Sequence, residues 1–216
     1  MSKTKKLIKH CATALLNAYA NKSKLTNEIL SLEGMTGIKT RHFYNNLLNC
    51  NFLKNYLEVG SWKGSSFVSA MYENSIHGYS VDNWSEFGGP KQEFHNVLEK
   101  YLNSENYTVL DEDCFELSVN KLNKIDVYLY DGNHSYESQK KAITHFAPIL
   151  SNKFILVVDD YNWHDVQNGT KDGLKESEIE VLWDHSIIYN DNNQHTEKET
   201  AQKEFWNGMY VAVCAK

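Results

Sequence analysis

The sequence is poor in arginine and has no closely spaced cysteine pair. Arg41 is its only arginine beside 21 lysines, and 28 acidic residues bring the net charge to -6. A negative field repels phosphate groups, and the arginine fork that commonly binds them is nearly absent, so a nucleic-acid partner is not expected. The four cysteines stand far apart, at positions 11, 50, 114 and 214. They predict neither a zinc site nor a disulfide framework, and a reducing cytoplasm is the expected location.

Long apolar runs are missing as well. No stretch approaches the ~18 apolar residues of a membrane span, so no membrane partner is expected. A signal peptide is not expected either, because Lys9, His10 and Asn17 interrupt the apolar stretch that such a peptide needs. Apolar or aromatic residues instead recur every four positions, at Leu7, Cys11, Leu15 and Tyr19. This spacing predicts an amphipathic N-terminal helix.

Only two prolines occur in 216 residues, while 41% of the residues are hydrophobic and 12% are aromatic. A chain of this length and composition can bury one sizeable core, so bulk disorder is excluded. We expect one large domain over residues 51–216. Residues 1–50 read as helices and are predicted to form an appendage that serves as a lid or a dimer surface.

Strand-like and helical segments alternate after residue 50. Five strands are predicted, at 56–59, 77–81, 107–110, 125–130 and 154–158, with helices at 65–72, 92–102 and 136–146. Two further strands, at 179–189 and 209–215, flank a polar run at 190–203 that reads as a loop or short helix. The pattern predicts an α/β fold: a Rossmann-like, doubly wound, mostly parallel seven-stranded sheet with an antiparallel C-terminal strand pair and N-terminal helices.

Acidic residues follow every predicted strand of the parallel part. Ligands of open parallel sheets bind outside the carboxyl ends of the strands, so these acids mark the candidate site. They are Glu58, Asp82, Asp111, Asp113, Asp131, Asp159 and Asp160.

The turn after the first strand holds Gly60 and Gly64 but lacks a dinucleotide fingerprint. Trp62 stands where bare backbone would approach a pyrophosphate, and Ser65–Ser66 replace the third glycine. A cofactor with an adenosine and a positive centre, but no phosphate, fits this turn better. Asp82 is well placed to accept hydrogen bonds from its ribose.

Together, the run 58–64, the acid at position 82, the run 131–136 and the run 159–161 resemble class I S-adenosylmethionine-dependent methyltransferases. The resemblance is closest to metal-dependent O-methyltransferases of the catechol and macrocin (macrolide-sugar) type. It covers roughly residues 56–161 and, by topology, the C-terminal strand pair. The N-terminal helices and the insert at 190–203 lie outside it.

The resemblance implies a cofactor site and a metal site. Glu58, Gly60 and Ser61 would line the methionine part, Asp82 the ribose, and Asp113 with Cys114 the adenine. The implied cofactor residues are Glu58, Gly60, Ser61, Gly64, Asp82, Asp113, Cys114 and Asp131. The implied metal ligands are Asp131, Asp159 and Asp160.

The chemistry of the three aspartates supports a metal. Converging carboxylates repel one another unless one is protonated or a cation lies between them, and an all-oxygen set favours Mg²⁺. Adjacent residues in a strand point to opposite faces. Asp159 and Asp160 can therefore share an ion only if the strand ends before Asp160.

The implied reaction is methyl transfer from S-adenosylmethionine to a hydroxyl of a small molecule. His134 is the candidate base, at the position where catechol-type relatives carry a lysine, and it could instead bind metal or orient Asp131. Three alternatives stay open: a metal-independent methyltransferase, a nucleotide-dependent oxidoreductase or hydroxylase, and a non-catalytic cofactor-binding module. Acceptor specificity is expected in the 84–90 loop, the N-terminal helices and the late insert.

Overall fold

The computed structural model describes residues 1–190 and 193–216. Three helices come first: α1 (Lys3–Tyr19), α2 (Asn27–Leu30) and α3 (Ile38–Leu48). Strands and helices then alternate through β1 (Asn55–Val59), α4 (Ser65–Met71), β2 (His77–Val81), α5 (Lys91–Tyr101), β3 (Tyr107–Leu110), β4 (Ile125–Tyr130), α6 (Tyr136–Phe146) and β5 (Leu150–Asp159). The chain closes with α7 (His164–Glu176), β6 (Glu180–Ile187), α8 (Lys198–Lys203) and β7 (Met209–Ala215).

The strands form one seven-stranded sheet in the order β3-β2-β1-β4-β5-β7-β6. Its pairs are parallel except those of β7, which runs antiparallel to both β5 and β6. The predicted fold class is therefore confirmed. The chain builds outward from β1 to β3, then returns to add β4 beside β1, so the strand order reverses between β1 and β4. Ligands of such sheets bind at this reversal.

The N-terminal helices pack on the same apolar cluster that covers one face of the sheet. Leu7, Cys11 and Leu15 are buried in α1 as the spacing predicts, but Tyr19 is 47% exposed because the helix ends there. Helices α1 to α3 therefore share one hydrophobic core with the sheet. A functional division at residue 50 stays a prediction.

Helix α7 was not predicted from the sequence. Its apolar residues are sparse, and Gly169 and Gly173 both disfavour a helix by about 1 kcal/mol relative to alanine. The structure explains both glycines. A Cβ on Gly169 would lie 2.6 Å from the carbonyl oxygen of Tyr136, and one on Gly173 would lie 2.8 Å from Cβ of Ile143. Helices α6 and α7 thus approach closely, and packing overrides propensity.

The polar insert contains helix α8, which agrees with one of its two predicted forms. Positions 191 and 192 of that insert lie outside the described residues. Among the residues that are described, no helix has the length and hydropathy of a transmembrane segment.

Arg41, the single arginine, is buried on α3 and is 3% exposed. Its guanidinium donates hydrogen bonds of 2.8 to 3.3 Å to the carbonyl oxygens of Thr36, Ile29, Leu30 and Leu32. These carbonyls belong to α2 and the segment after it. The arginine is therefore used internally, to hold the α2–α3 connection in place.

Candidate active site

A cleft of about 640 Å³ opens at the carboxyl ends of the central strands, where the strand order reverses. Seven acidic residues line it, and none of the described lining residues is a lysine or arginine. The acids are Asp82, Glu86, Glu112, Asp113, Asp131, Asp159 and Asp160. Five of the seven strand-end acids named from the sequence therefore line the cleft, while Glu58 and Asp111 do not.

The turn after β1 depends on Gly60. This residue has a φ of +88°, and a Cβ on it would lie 2.0 Å from the carbonyl oxygen of Asp131. Its amide donates to the carbonyl of Val81 at 2.9 Å. Only glycine accepts this conformation at this distance, so the backbones after β1 and β4 can meet at the floor of the cleft.

Asp82 organises the same turn. Its Oδ2 accepts hydrogen bonds from the amides of Ser61 (2.9 Å) and Trp62 (2.8 Å), while Oδ1 accepts one from the amide of Trp84 (2.7 Å). Asp82 lines the cleft where its role with a ribose was predicted. The structure adds a second task, which is to join the loops after β1 and β2.

Three predicted cofactor residues lie behind the cleft wall rather than on it. Glu58 is fully buried and accepts hydrogen bonds from Tyr56 and Ser66. Ser61 is 3% exposed, and Gly64 caps α4 against Phe94 with a φ of +85°. None of the three is among the residues lining the cleft, so in this structure they shape the turn from beneath.

Asp113 and Cys114, the two predicted adenine contacts, line the cleft, and their role with an adenine stays a prediction. Oδ1 of Asp113 accepts a 2.8 Å hydrogen bond from the amide of Phe115, which fixes the loop after β3. Burial, followed by the charge of Asp113, raises the pKa of the Cys114 thiol to about 12. The thiol is therefore a neutral contact surface at neutral pH.

Asp131, His134 and Asp160 meet on one side of the cleft. Nε2 of His134 lies 3.6 Å from Oδ1 of Asp131, and Nδ1 lies 3.4 Å from Oδ2 of Asp160. Strand β5 ends at Asp159, and Asp160 has a φ of +53°. The strand thus ends before Asp160, which is the condition under which Asp159 and Asp160 can serve one site.

Burial and neighbouring charges disfavour the ionisation of two of the three carboxylates, Asp131 and Asp159. Burial, and then the charge of Asp160, raises the pKa of Asp131 well above its ordinary value. Burial, and then the charges of Asp131 and Asp160, does the same to Asp159. Oδ1 of Asp159 and Oδ1 of Asp160 are buried without a hydrogen-bond partner.

These unpartnered oxygens are the donor type that Mg²⁺ prefers. The donor chemistry therefore fits a hard cation. As placed, however, no three His, Cys, Asp or Glu side chains within 1–190 and 193–216 are grouped closely enough to hold a metal ion. The metal site stays a prediction.

The outer wall of the cleft comes from segments to which the sequence assigned no individual site residue. Met35 comes from the α2–α3 connection, Phe87 from the 84–90 loop, and His195, Trp206 and Asn207 from the late insert and the approach to β7. Met35, Phe87 and His195 belong to segments that were expected to govern acceptor specificity, whereas Trp206 and Asn207 lie outside those segments. Individual residues were missed because no motif marks them; proximity to the cleft is set by tertiary packing.

Four of the nine described non-glycine residues with positive φ line this cleft. The non-glycine residues Trp62, Phe87, Asp160 and Trp206 all line it and all have φ between +42° and +53°. Such conformations are costly and persist where the surrounding structure imposes them, often at functional sites.

Residues 57–161 match the family model described as a methyltransferase domain. The match indicates a methyltransferase domain in this part of the chain. The matched segment runs from β1 to the end of β5 and contains the acids at the cleft. This match confirms the predicted class of enzyme, a methyltransferase.

Solved structures share the fold at low sequence identity. The O-methyltransferase TomG from Streptomyces achromogenes, involved in tomaymycin synthesis and solved with S-adenosylmethionine, has a TM-score of 0.62 and 11% identity, over 94% of this chain and 90% of TomG. A protein from Klebsiella pneumoniae proposed to be an O-methyltransferase has a TM-score of 0.59 and 12% identity, over 95% and 90%. Precorrin-6y C5,15-methyltransferase from Geobacter metallireducens has a TM-score of 0.56 and 15% identity, over 82% and 88%. No curated protein sequence matches the chain significantly.

Proposed function

We propose that this methyltransferase moves the methyl group of S-adenosylmethionine to a hydroxyl oxygen of a small molecule. One observation carries the proposal. The glycine turn at Gly60, the adenine-side pair Asp113 and Cys114, and the acids around His134 all face one cleft at the strand-order reversal. A donor and an acceptor can therefore be held side by side, which is the main requirement of methyl transfer.

The cofactor would lie across the ends of β1 and β2. Gly60 leaves room for it to approach the backbone, and Asp82 would accept hydrogen bonds from its ribose. The acid-lined wall favours the positive sulfonium electrostatically. The same wall disfavours a phosphorylated or polyanionic acceptor, since the described lining residues include no lysine or arginine.

His134 would accept the proton of the reacting hydroxyl. The oxygen–carbon bond forms as the sulfur–carbon bond breaks, the proton moves to the imidazole, and S-adenosylhomocysteine leaves. Asp131 and Asp160, at 3.6 and 3.4 Å, stabilise the imidazolium that results. A neutral imidazole is suited to this role near neutral pH.

A divalent cation, Mg²⁺, belongs to the proposal as a cofactor. Asp131, Asp159 and Asp160 would hold it, and the unpartnered oxygens of Asp159 and Asp160 support this assignment. When bound, such an ion neutralises carboxylates and lowers the pKa of an acceptor hydroxyl.

A metal-independent reaction is the second candidate. It is favoured by the contact of His134 with the carboxylates of Asp131 and Asp160. The cytoplasmic location and a homodimer are likewise proposals, and sedimentation equilibrium measures the second.

Calorimetric titration with S-adenosylmethionine, S-adenosylhomocysteine and NAD tests the cofactor. We expect both sulfur compounds to bind and NAD not to bind. Binding of NAD without either sulfur compound would favour the oxidoreductase alternative and reject the proposal.

The metal is tested by S-adenosylhomocysteine formation with a panel of catechols and hydroxylated sugars. We expect EDTA or Asp159→Asn to abolish turnover while S-adenosylmethionine still binds. Asp184→Asn, an exposed aspartate of β6, is the matched control and should retain turnover. Full activity in EDTA would instead support the metal-independent reaction.

A further inference from the structure

We propose that His195 binds the acceptor through its Nε2–H group and that Asn207 sets the tautomer in which it does so. The identity of the ligand as the methyl acceptor rests on the proposed function. The tautomer of His195 does not. The proposed substrate class is hydroxylated molecules that carry a second oxygen able to accept a hydrogen bond.

His195 stands at the rim of the cleft with an exposed side chain. Its ring meets the ring of Trp163 edge-on, with centroids 4.9 Å apart and an interplanar angle of 84°. Trp206 and Asn207 line the adjoining wall. The imidazole is thus held against protein on one side and remains accessible to a ligand.

The segment that carries His195 is anchored by two buried asparagines. The amide nitrogen of the Asn162 side chain donates to Oγ1 of Thr196 at 3.1 Å, and its Oδ1 accepts from the amide of Tyr189 at 3.0 Å. The backbone amide of Asn162 donates to the carbonyl of Asn207 at 3.0 Å. Asn162 and Asn207 are 0% and 3% exposed. These hydrogen bonds therefore fix the position of the backbone segment that carries His195.

The hydrogen bonds of Asn207 determine which nitrogen of His195 carries the proton. The backbone amide of Thr196 can only donate, and it donates to Oδ1 of Asn207 at 2.8 Å. The other end of the same side chain must then be the NH₂ group, which lies 3.3 Å from Nδ1 of His195. Since that NH₂ group donates, Nδ1 must accept.

A neutral imidazole has one donor and one acceptor nitrogen. With Nδ1 accepting from Asn207, the proton lies on Nε2, and His195 offers a hydrogen-bond donor to a ligand. It cannot take a proton through Nε2 in this state. His134 therefore remains the candidate base, and His195 has a distinct task, which is to bind another oxygen of the acceptor.

The tautomer can be measured without any substrate. Two-bond ¹H–¹⁵N correlation spectra of the labelled protein distinguish protonated from unprotonated ring nitrogens, and His195→Phe assigns the His195 signals by their loss. We expect Nε2 to be protonated. In Asn207→Asp, a carboxylate oxygen replaces the NH₂ group, so the proton should move to Nδ1.

A wild-type ring protonated on Nδ1 would overturn the proposal, and so would an unchanged tautomer in folded Asn207→Asp. If that variant fails to fold, the wild-type spectrum still decides. This readout is independent of the cofactor, so failure to bind S-adenosylhomocysteine rejects the proposed function and leaves the tautomer result standing.

The ligand is tested by titrating the S-adenosylhomocysteine-bound protein with catechol, which has two neighbouring oxygens, and with phenol, which has one. We expect catechol to shift the His195 Nε2 signal more than phenol does. His195→Phe should weaken catechol binding about five- to tenfold through loss of one hydrogen bond, and His195→Gln, which keeps a donor, should recover part of it. His185→Phe, on the exposed strand β6, is the control. An unmoved His195 signal overturns the acceptor assignment.

Discussion

The hydroxyl of Tyr56 donates a 2.5 Å hydrogen bond to Oε2 of Glu58 inside the molecule, and both residues belong to β1. Ser66 completes the arrangement by donating to Oε1 at 2.7 Å. No cationic side chain takes part in these hydrogen bonds. Burial raises the pKa of Glu58 from 4.5 to about 7, although the hydrogen bonds from Tyr56 and Ser66 oppose the rise.

This relationship predicts a pH dependence of stability. The folded state keeps the Glu58 proton to higher pH than the unfolded state, so the free energy of unfolding falls as pH rises from 4.5 to about 7. Glu58→Gln has no such proton to lose. As pH rises from about 5 to about 8, the free energy of unfolding of the variant should therefore increase by about 3 kcal/mol relative to that of the wild type. Urea denaturation at both pH values measures it. Parallel pH dependence of the two proteins would contradict the prediction.

Gly60→Ala should disrupt the turn under the cofactor. A Cβ would meet the carbonyl oxygen of Asp131 and require a φ of +88° from alanine, so we expect a loss of about 3 kcal/mol or more and weak S-adenosylmethionine binding. Gly88→Ala is the matched control. Gly88 also has a positive φ, +84°, but no atom lies within 4 Å of its added Cβ, so it should lose only about 1 kcal/mol. Equal losses would show that the contact with Asp131 is unimportant.

Asp82→Asn should weaken S-adenosylmethionine binding at least about tenfold with a smaller effect on folding. An amide can replace only one of the oxygens that now accept hydrogen bonds from the amides of Ser61, Trp62 and Trp84. Calorimetry and thermal unfolding measure the two effects. Asp113→Asn, at the proposed adenine contact, keeps the β1 and β2 loops joined and should bind the cofactor more tightly than Asp82→Asn does.

Arg41→Lys should lower the free energy of unfolding by about 2–3 kcal/mol, because a single ammonium cannot satisfy the carbonyls that the guanidinium reaches. The α2–α3 connection, which carries Met35 at the cleft, should become more susceptible to proteolysis. Lys121→Ala, at an exposed position, should change stability little. If proteolysis of Arg41→Lys is unchanged, Arg41 does not hold the α2–α3 connection in place.

Gly169→Ala should destabilise the protein by about 1–3 kcal/mol, since its Cβ would meet the carbonyl of Tyr136 at 2.6 Å. Asn168→Ala, next to it on the exposed side of α7, should stabilise by up to about 0.5 kcal/mol through helix propensity. In thermal unfolding, Gly169→Ala should lower the melting temperature and Asn168→Ala should raise it. Stabilisation by both would mean that α6 and α7 can separate.

Local patterns predicted most of the fold. The strands at 77–81, 107–110 and 125–130 and the helix at 136–146 have the predicted bounds, because short apolar runs and helical spacing act within one segment. Helix α7 was not predicted, because its glycines are explained by their close packing against α6, which a local sequence pattern does not show. Tyr19 was expected inside and is half exposed, because spacing does not reveal where a helix leaves the core.

The sequence by itself determined the order of the seven strands, the glycine turn after β1 and the acids at the strand ends, because each depends on neighbouring residues. Tertiary structure decided which of those acids face the cleft, since Glu58 turns inward while Asp131 and Asp160 approach His134. It also decided that Met35, His195 and Trp206, far apart in the chain, share a wall. Residues distant in sequence meet only through packing and long-range strand pairing, and no local pattern encodes that meeting.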